Sequence, residues 1–212
     1  MGDLIKSALL ETKAAAFVRT IKKSTAELHA NLESQELLSA IMTPGVTNTQ
    51  YCLYLVLMKK IEEAYERDIV APLADHFPGI EQRKASKLIA DDLSHIGSIL
   101  SKSFTIKDFE IPAEKISIPF AMGFMYVMEG SKLGGKVIYK HLQRTLGYSA
   151  KGGAKFIADD GVDTFGLWKE FLLKFSNYAT EAGCEEEAIQ GAEYAFSSIR
   201  DFFELNTLAY GI

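Results

Sequence analysis

A cluster of glycines inside a helix-forming stretch limits how this chain can fold more than any other feature. Residues 119–142, PFAMGFMYVMEGSKLGGKVIYKHL, are helical in composition on both sides of Gly130, Gly134 and Gly135. A glycine within a helix costs about 1 kcal/mol relative to alanine, and it provides a bendable backbone without a Cβ atom. The cluster is consistent with close helix packing through small residues, with a loop between two shorter helices, or with a kinked helix pressed onto a planar cofactor.

Helical periodicity extends over nearly all of the 212 residues. The first segment carries one apolar stripe, made of Val18, Ile21, Thr25, Leu28 and Leu32. Further helices are predicted over residues 35–42, from a cap at Thr47 or Asn48 toward Pro72, and over 81–101, 119–142, 165–182 and 185–208. The helix over 81–101 is expected to face inward through Leu88, Leu93, Ile96 and Leu100.

The segments between these helices are predicted to be turns or irregular structure. They are a turn at 76–79, an irregular stretch at 104–118, and breaks at 147–153 and 159–161. No alternation of polar and apolar residues indicates a sheet, and we find no repeat or linker. The pattern therefore predicts an all-α protein with one domain over residues 1–212.

Charge and cysteine content exclude several classes of function. The net charge of −5 argues against a nucleic-acid partner, because binding to phosphates needs a basic face. Cys52 and Cys184 fit neither a disulfide framework nor a Cys-x-x-Cys metal site, which agrees with a reducing cytoplasm. The most apolar run, 116–128, is too short to span a bilayer, and charges interrupt any signal-like run at the N-terminus. We expect a soluble, cytoplasmic protein that does not contact a membrane.

A partner for the glycine cluster lies in the first helix, where residues 22–33 read KKSTAELHANLE. His29 stands beside the apolar stripe, and an imidazole at the edge of a core can ligate a metal. Lys22 precedes it by two helical turns, or about 10 Å of rise. That spacing suits iron at the centre of a porphyrin and a propionate at its edge. The plainer interpretation is a histidine at the boundary of the core and a solvated lysine.

Several motifs resemble the heme oxygenase family. In its proximal helix a histidine follows a threonine by four residues and precedes a glutamate by four, as Thr25, His29 and Glu33 do. Residues 126–135, YVMEGSKLGG, are similar to the distal-helix motif of bacterial members, including the phytochrome-linked ones. Two C-terminal segments also look like this family: WKEF at 168–171 and AFSSIRDFF at 195–203. The matches span most of the chain in the family's order.

The resemblance implies a single-domain multi-helix bundle that holds heme between a proximal helix and a glycine-kinked distal helix. His29 would be the iron ligand, with Glu33 or a backbone carbonyl on its other ring nitrogen. Ser131 takes the place of an aspartate found in mammalian-type members. The distal, catalytic face would be Gly130, Ser131, Gly134 and Gly135. The other residues implied to contact heme are Lys22, Thr25, Glu33, Tyr126, Lys169 and Phe196.

The activity implied is cleavage of heme to biliverdin, CO and iron, as in the bacterial biliverdin-producing type. It consumes O₂ and electrons from an external reductase or ferredoxin, and a bilin acceptor such as a phytochrome is a possible partner. Three alternatives stay open. The chain could carry or sense heme without degrading it, it could use the scaffold as thiamin-salvage and quinone-cofactor enzymes do, or it could be a helical interaction protein.

Overall fold

The protein is all-α, as its sequence predicts. The computed structural model describes residues 2–76, 79–80, 85–97, 104–158 and 163–210, with side chains from Thr12 onward. These residues contain ten α-helices and no strand, apart from isolated bridges of Ser149 with Gly152 and Gly153. None of the helices described is long and apolar enough to cross a membrane. The helices are α1 (Gly2–Glu33), α2 (Glu36–Ile41), α3 (Asn48–Ala64), α4 (Ala71–Leu73), α5 (Ser86–Gly97), α6 (Ile118–Ser131), α7 (Gly135–Thr145), α8 (Lys155–Ala158), α9 (Thr164–Ala182) and α10 (Glu185–Tyr210).

The glycine cluster forms a tightened turn between two helices. α6 begins at the cap residue Ser117, whose side chain accepts a hydrogen bond from the backbone N–H of Phe120 at 3.3 Å. It passes into a single 3-10 turn, Lys132–Gly134, from which α7 continues. Gly134 and Gly135 keep helical dihedral angles, with φ of −76° and −53°. The glycine cluster therefore forms a 3-10 turn that connects α6 directly to α7. A 3-10 turn inside a helix often marks a hinge.

Close helix packing explains two other glycines, Gly123 and Gly191. A Cβ atom on Gly123 of α6 would lie 1.9 Å from the carbonyl oxygen of Ala188 in α10. A Cβ atom on Gly191 of α10 would lie 2.1 Å from the carbonyl oxygen of Phe120. Glycine at both positions lets the backbones of α6 and α10 touch, because no side chain separates them.

Helices α9 and α10 form a common support for α1 and α6. Both α1 and α6 pack on this pair, and within the described residues they make few contacts with each other. The buried residues described on α1 are Ala14, Phe17, Ile21 and Thr25. The Phe17 ring meets Phe175 of α9 edge-on, with the ring centroids 5.2 Å apart. This arrangement holds the predicted proximal and distal helices on the same pair of supporting helices.

Of the two predicted caps for α3, Thr47 and Asn48, the structure has Thr47. Its side chain accepts a hydrogen bond from the N–H of Gln50 at 3.2 Å, and the Gln50 side chain accepts one from the N–H of Thr47 at 2.9 Å. This reciprocal pair is a capping box. Beyond α3 the helical path continues through a π-helical turn, Tyr65–Val70, and ends in α4. The sequence carries no signal for the π turn.

Two sequence predictions about α5 need correction. The helix begins at Ser86, and Ala85 before it is not helical. Leu88 was expected to face inward and instead is 41% exposed, because α5 buries the side that carries Ile89, Asp92 and Ile96. The following predictions lie wholly or partly outside the described residues: the turn at 76–79, Leu100, residues 81–84 and 98–101, and the break at 159–161.

Candidate functional site

His29 projects from the solvent side of α1. Its side chain is 53% exposed, and Nε2 lies 3.4 Å from Oε1 of Glu33, one turn further along. The imidazole also meets the ring of Phe196 edge-on, with the ring centroids 5.4 Å apart. Phe196 is buried in α10, so it supplies a fixed wall beside the imidazole. One carboxylate and one aromatic ring thus orient His29, while half of its surface stays open to a ligand.

Thr25 of α1 and Tyr126 of α6 interact one helical turn before His29 and Gly130. Thr25 is buried, donates to the carbonyl oxygen of Ile21 at 2.8 Å, and shares a hydrogen bond with the hydroxyl of Tyr126. Burial raises the pKa of Tyr126, although the bond to Thr25 lowers it in part. The tyrosine therefore stays neutral. His29 lies one turn beyond Thr25, and Gly130 lies one turn beyond Tyr126. The interaction between Thr25 and Tyr126 therefore connects the turns of α1 and α6 that precede His29 and Gly130.

Of the three clustered glycines, only Gly134 faces open space. A Cβ atom on Gly134 would meet nothing within 4 Å. On Gly130 it would lie 3.4 Å from the Trp168 ring, and on Gly135 it would lie 3.2 Å from the carbonyl oxygen of Ile157. The sequence predicted an open backbone at all three glycines, and the structure leaves open space at Gly134 alone of the three. The sequence motif at 168–171 contains Trp168, but its packing against Gly130 was not foreseen.

The remaining predicted residues have different partners. The Ser131 hydroxyl donates to the carbonyl oxygen of Met128 at 2.8 Å, so it is tied to its own helix. Lys22 is exposed on α1. Lys169 is exposed on α9, with its Nζ 4.3 Å from the centre of the Phe165 ring. Both lysines stand on helices that pack together, where their ammonium groups are accessible to an anion.

A surface groove of about 480 Å³ lies elsewhere, between the start of α6 and α10. It is lined by Lys115, Phe120, Glu187, Gln190, Glu193 and Tyr194, and none of the predicted site residues contributes to it. The candidate site therefore consists of the predicted residues around His29 and Gly134 and does not include this groove.

Comparison with known proteins identifies the family. The heme oxygenase family model matches residues 15–205, which is most of the chain. The chain belongs to the heme oxygenase family. It is 26% identical over 144 residues to heme oxygenase PigA of Pseudomonas aeruginosa, covering 68% of this chain and 69% of that protein.

Solved structures of heme oxygenases share the fold. The NO- and CO-bound heme oxygenase from Neisseria meningitidis matches with a TM-score of 0.68 and 26% identity, over 88% of this chain and 92% of that one. Heme oxygenase from Leptospira interrogans matches with a TM-score of 0.70 and 13% identity, over 89% and 98%. Heme oxygenase-1 from the cyanobacterium Synechocystis, in complex with heme, matches with a TM-score of 0.67 and 15% identity, over 92% and 96%. The last two support the fold alone.

The donor atoms at the candidate site suit heme as the bound group. Among the described residues no group of three or more His, Cys, Asp or Glu side chains could hold a metal ion. A protein-only zinc site needs three or four such ligands, whereas a porphyrin supplies four nitrogens and needs one axial imidazole. His29 offers one exposed imidazole, and Gly134 offers open space beside a bare backbone.

Proposed function

We propose that this heme oxygenase cleaves heme to biliverdin, CO and iron, using O₂ and electrons from an external donor. The observations that carry the proposal are the exposed imidazole of His29 on α1 and the open space at Gly134 in the 3-10 turn, two elements that both pack on α9. Family membership supports heme degradation, and the biliverdin product is part of the proposal. We further propose that the whole chain, residues 1–212, forms the domain that acts in this way.

In this proposal each of the predicted heme-contacting residues has a defined role. His29 would hold the heme iron through one ring nitrogen, and Glu33 would accept a hydrogen bond from the other. Because Glu33 now faces Nε2, ligation through Nε2 requires the ring to rotate and present Nδ1 to the carboxylate. Phe196 packs against the imidazole. Lys22 and Lys169 bind the propionates as point charges, while Thr25 and Tyr126 fix the spacing of the helices.

Heme, when bound, supplies the oxygen chemistry, and the protein contributes position and solvent order. Gly130, Ser131, Gly134 and Gly135 provide no strong acid on the distal side, since the only hydroxyl among them is bonded to Met128. Gly134 would leave room for the porphyrin beside the backbone, while the missing side chains of Gly130 and Gly135 let Trp168 and Ile157 pack close to this segment. Protons would then arrive by way of ordered water.

The electron donor, a reductase or an acidic ferredoxin, would meet a basic row on α7. Lys136, Lys140 and Arg144 are exposed, follow one another by four residues, and so share one side of a helix that has no acidic residue. In an otherwise acidic protein this row is a local positive surface close to Gly134. We expect turnover with an acidic ferredoxin to slow as salt is added, because salt screens exposed charges beyond about 10 Å.

Purified protein mixed with hemin, a ferredoxin and its reductase, and O₂ tests the proposal. Loss of the Soret band together with growth of a biliverdin band and release of CO is the expected result. We expect His29→Ala to abolish turnover and weaken binding, and added imidazole to restore part of the binding. The matched control is His76→Ala, which removes an exposed histidine from the far end of the α3–α4 path.

Two results would contradict the proposal. A stable Soret band that never decays under reducing conditions would indicate a heme carrier or sensor. An unchanged rate of heme loss in His29→Ala would show that another group ligates the iron. If biliverdin forms, we further propose that the reaction takes place in the reducing cytoplasm and that a bilin-binding protein such as a phytochrome takes up the product.

A further inference from the structure

Asp92 of α5 is a fully buried acid whose two oxygens both bond to the backbone of another helix. Its Oδ1 accepts a hydrogen bond from the N–H of Lys155, and its Oδ2 accepts one from the N–H of Phe156, both at 2.9 Å. These are the first two N–H groups of α8, which have no partner within their own helix. Asp92 therefore caps α8, although 63 residues of sequence separate it from Lys155.

The two neighbouring acids of α5 contact α8 in different ways. A buried carboxylate is costly unless hydrogen bonds replace the water that it loses. Burial raises the pKa of Asp92, and the bonds from Phe156 and Lys155 lower it in part, so these bonds favour the charged form. Asp91 instead contacts a side chain, with its Oδ2 3.0 Å from Nζ of Lys155, and it is 45% exposed. Asp92 holds the backbone of α8, whereas Asp91 forms an ion pair at its surface.

The segment that leads into α8 is also fastened to α3. The hydroxyl of the buried Tyr51 donates to the carbonyl oxygen of Gly153 at 2.8 Å. The hydroxyl of Tyr148 donates to Oδ1 of Asn48 at 3.0 Å. Because α3 and α5 pack on each other, they hold residues 148–156 from one side as a unit.

The other side of α8 touches the distal segment. The carbonyl oxygen of Ile157 lies 3.2 Å from the place that a Cβ atom on Gly135 would take, so it packs directly on the glycine backbone. Ile157 is buried, and α8 packs on α7. Gly135 is the first residue of α7 and directly follows Gly134, the glycine that faces open space. α8 therefore supports the point at which the 3-10 turn passes into α7.

We propose that Asp92 is a positioning residue for the heme site, which fixes α8 and through it the backbone of Gly134 and Gly135. Asp92 acts through its two hydrogen bonds to α8, and α8 acts through the contact of Ile157 with Gly135. Protein interiors are closely packed, so a displacement of α8 is transmitted to the backbone that it touches. The proposal rests on the proposed heme oxygenase function, and it deepens that function by naming what holds the distal backbone in place.

Hydrogen exchange of the heme-free protein tests the support of the distal turn without any turnover. In Asp92→Asn an amide nitrogen that cannot accept replaces one oxygen, so one of the two bonds to α8 is lost. The amides of residues 134–138 should exchange about fivefold or more faster, as for the loss of a cap, while those of α9 and α10 keep their parent rates. Unchanged exchange at 134–138, or equal acceleration throughout the chain, would overturn the proposal.

Asp91→Asn is the matched control for this measurement. It makes the same chemical change at the preceding residue and removes the exposed ion pair with Lys155, but it leaves both backbone bonds of Asp92 in place. The control should exchange as the parent does at residues 134–138. Acceleration there equal to that in Asp92→Asn would overturn the role of the backbone bonds.

Gly135→Ala tests the same contacts from the other side and keeps Asp92 intact. Its methyl group would lie 3.2 Å from the carbonyl oxygen of Ile157, so α8 or the turn must shift by a few tenths of an ångström. The amides of Lys155 and Phe156 should then exchange faster, because their bonds to Asp92 are disturbed. In the double variant the two effects on hemin affinity should combine to less than their product, since a loosened α8 yields to the methyl group. Parent-like exchange in Gly135→Ala, or fully multiplicative effects, would overturn the coupling.

The C–O stretching band of the reduced protein with hemin and CO reports on the distal surroundings. Asp92→Asn should shift or broaden this band, and Asp91→Asn should leave it unchanged. A general loss of stability would lower the unfolding midpoint and leave the band of the folded protein in place. A parent-like band in Asp92→Asn would overturn the positioning role.

These measurements separate this proposal from the proposed function. If the parent degrades heme while Asp92→Asn keeps the parent's exchange rates and C–O band, only the role of Asp92 is refuted. If exchange at 134–138 rises as expected and the parent does not degrade heme, the oxygenase function is refuted and the positioning of heme falls with it.

Discussion

Replacing Gly134 by alanine should separate the stability of the fold from the binding of heme. Gly134 ends the 3-10 turn with φ −76° and ψ −17°, a helical conformation that alanine adopts easily. An added Cβ meets nothing within 4 Å. We expect the heme-free variant to be more stable than the parent by about 0.5–1 kcal/mol, because alanine loses less backbone entropy on folding than glycine.

The same methyl group should weaken heme binding. If the porphyrin lies against the backbone at Gly134, the Cβ occupies part of its space. Forcing an extra methyl group into a packed site costs about 1–3 kcal/mol, which corresponds to roughly 5- to 150-fold in the dissociation constant. Gly134→Leu should have a larger effect and block heme entry or access of O₂.

Urea unfolding of the heme-free proteins and titration with hemin, followed at the Soret band, measure the two effects. Gly45→Ala is the matched control, because a Cβ there also meets nothing within 4 Å and the residue lies in the turn after α2. The control should bind hemin as the parent does. Parent-like affinity and heme loss in Gly134→Ala would refute the assignment of this open space to heme.

Three further predictions follow from the packing and the charges. Gly123→Ala should lower the free energy of unfolding by about 1–3 kcal/mol or more in urea, because its Cβ would lie 1.9 Å from a backbone oxygen of α10; unchanged stability would contradict that contact. Lys22→Ala and Lys169→Ala should each weaken hemin binding and alter the biliverdin isomer ratio seen by chromatography, and both values would stay at parent levels if neither lysine meets a propionate. Burial raises the folded-state pKa of Glu62 to about 7, above its usual value near 4.3, so the folded protein loses stability as this acid ionises. The free energy of unfolding of the parent should therefore fall by about 3 kcal/mol between pH 4.5 and 7.5, and that of Glu62→Gln should not. Equal losses in the two proteins would show that Glu62 is not the cause.

The helical architecture could be predicted because its signals are local. The capping pair at Thr47, the apolar stripe of α1 and the glycine-rich stretch each lie within a few residues of sequence. The interpretation of the glycines was less complete. Gly123 serves close packing and Gly134 faces open space, and the sequence alone does not distinguish them, because the difference depends on where α10 lies.

Features that depend on long-range contacts were not predicted. Leu88 was expected to face the core because of its spacing, but the buried face of α5 is set by its packing on α3. The packing of Trp168 on Gly130 joins helices that are far apart in sequence. In the sequence, Glu62 lies in a charged stretch of α3 and gives no sign of being buried. The folded structure shows that its side chain is buried and that the charges of Glu129 and Lys132 act on it.

The crystal structure of the protein in complex with hemin tests the central claim most directly. We predict iron bonded to a ring nitrogen of His29, with Glu33 on the other nitrogen and the porphyrin against the backbone of Gly134. An imidazole of His29 that points into solvent in that complex, or a porphyrin bound away from His29 and Gly134, would contradict this account.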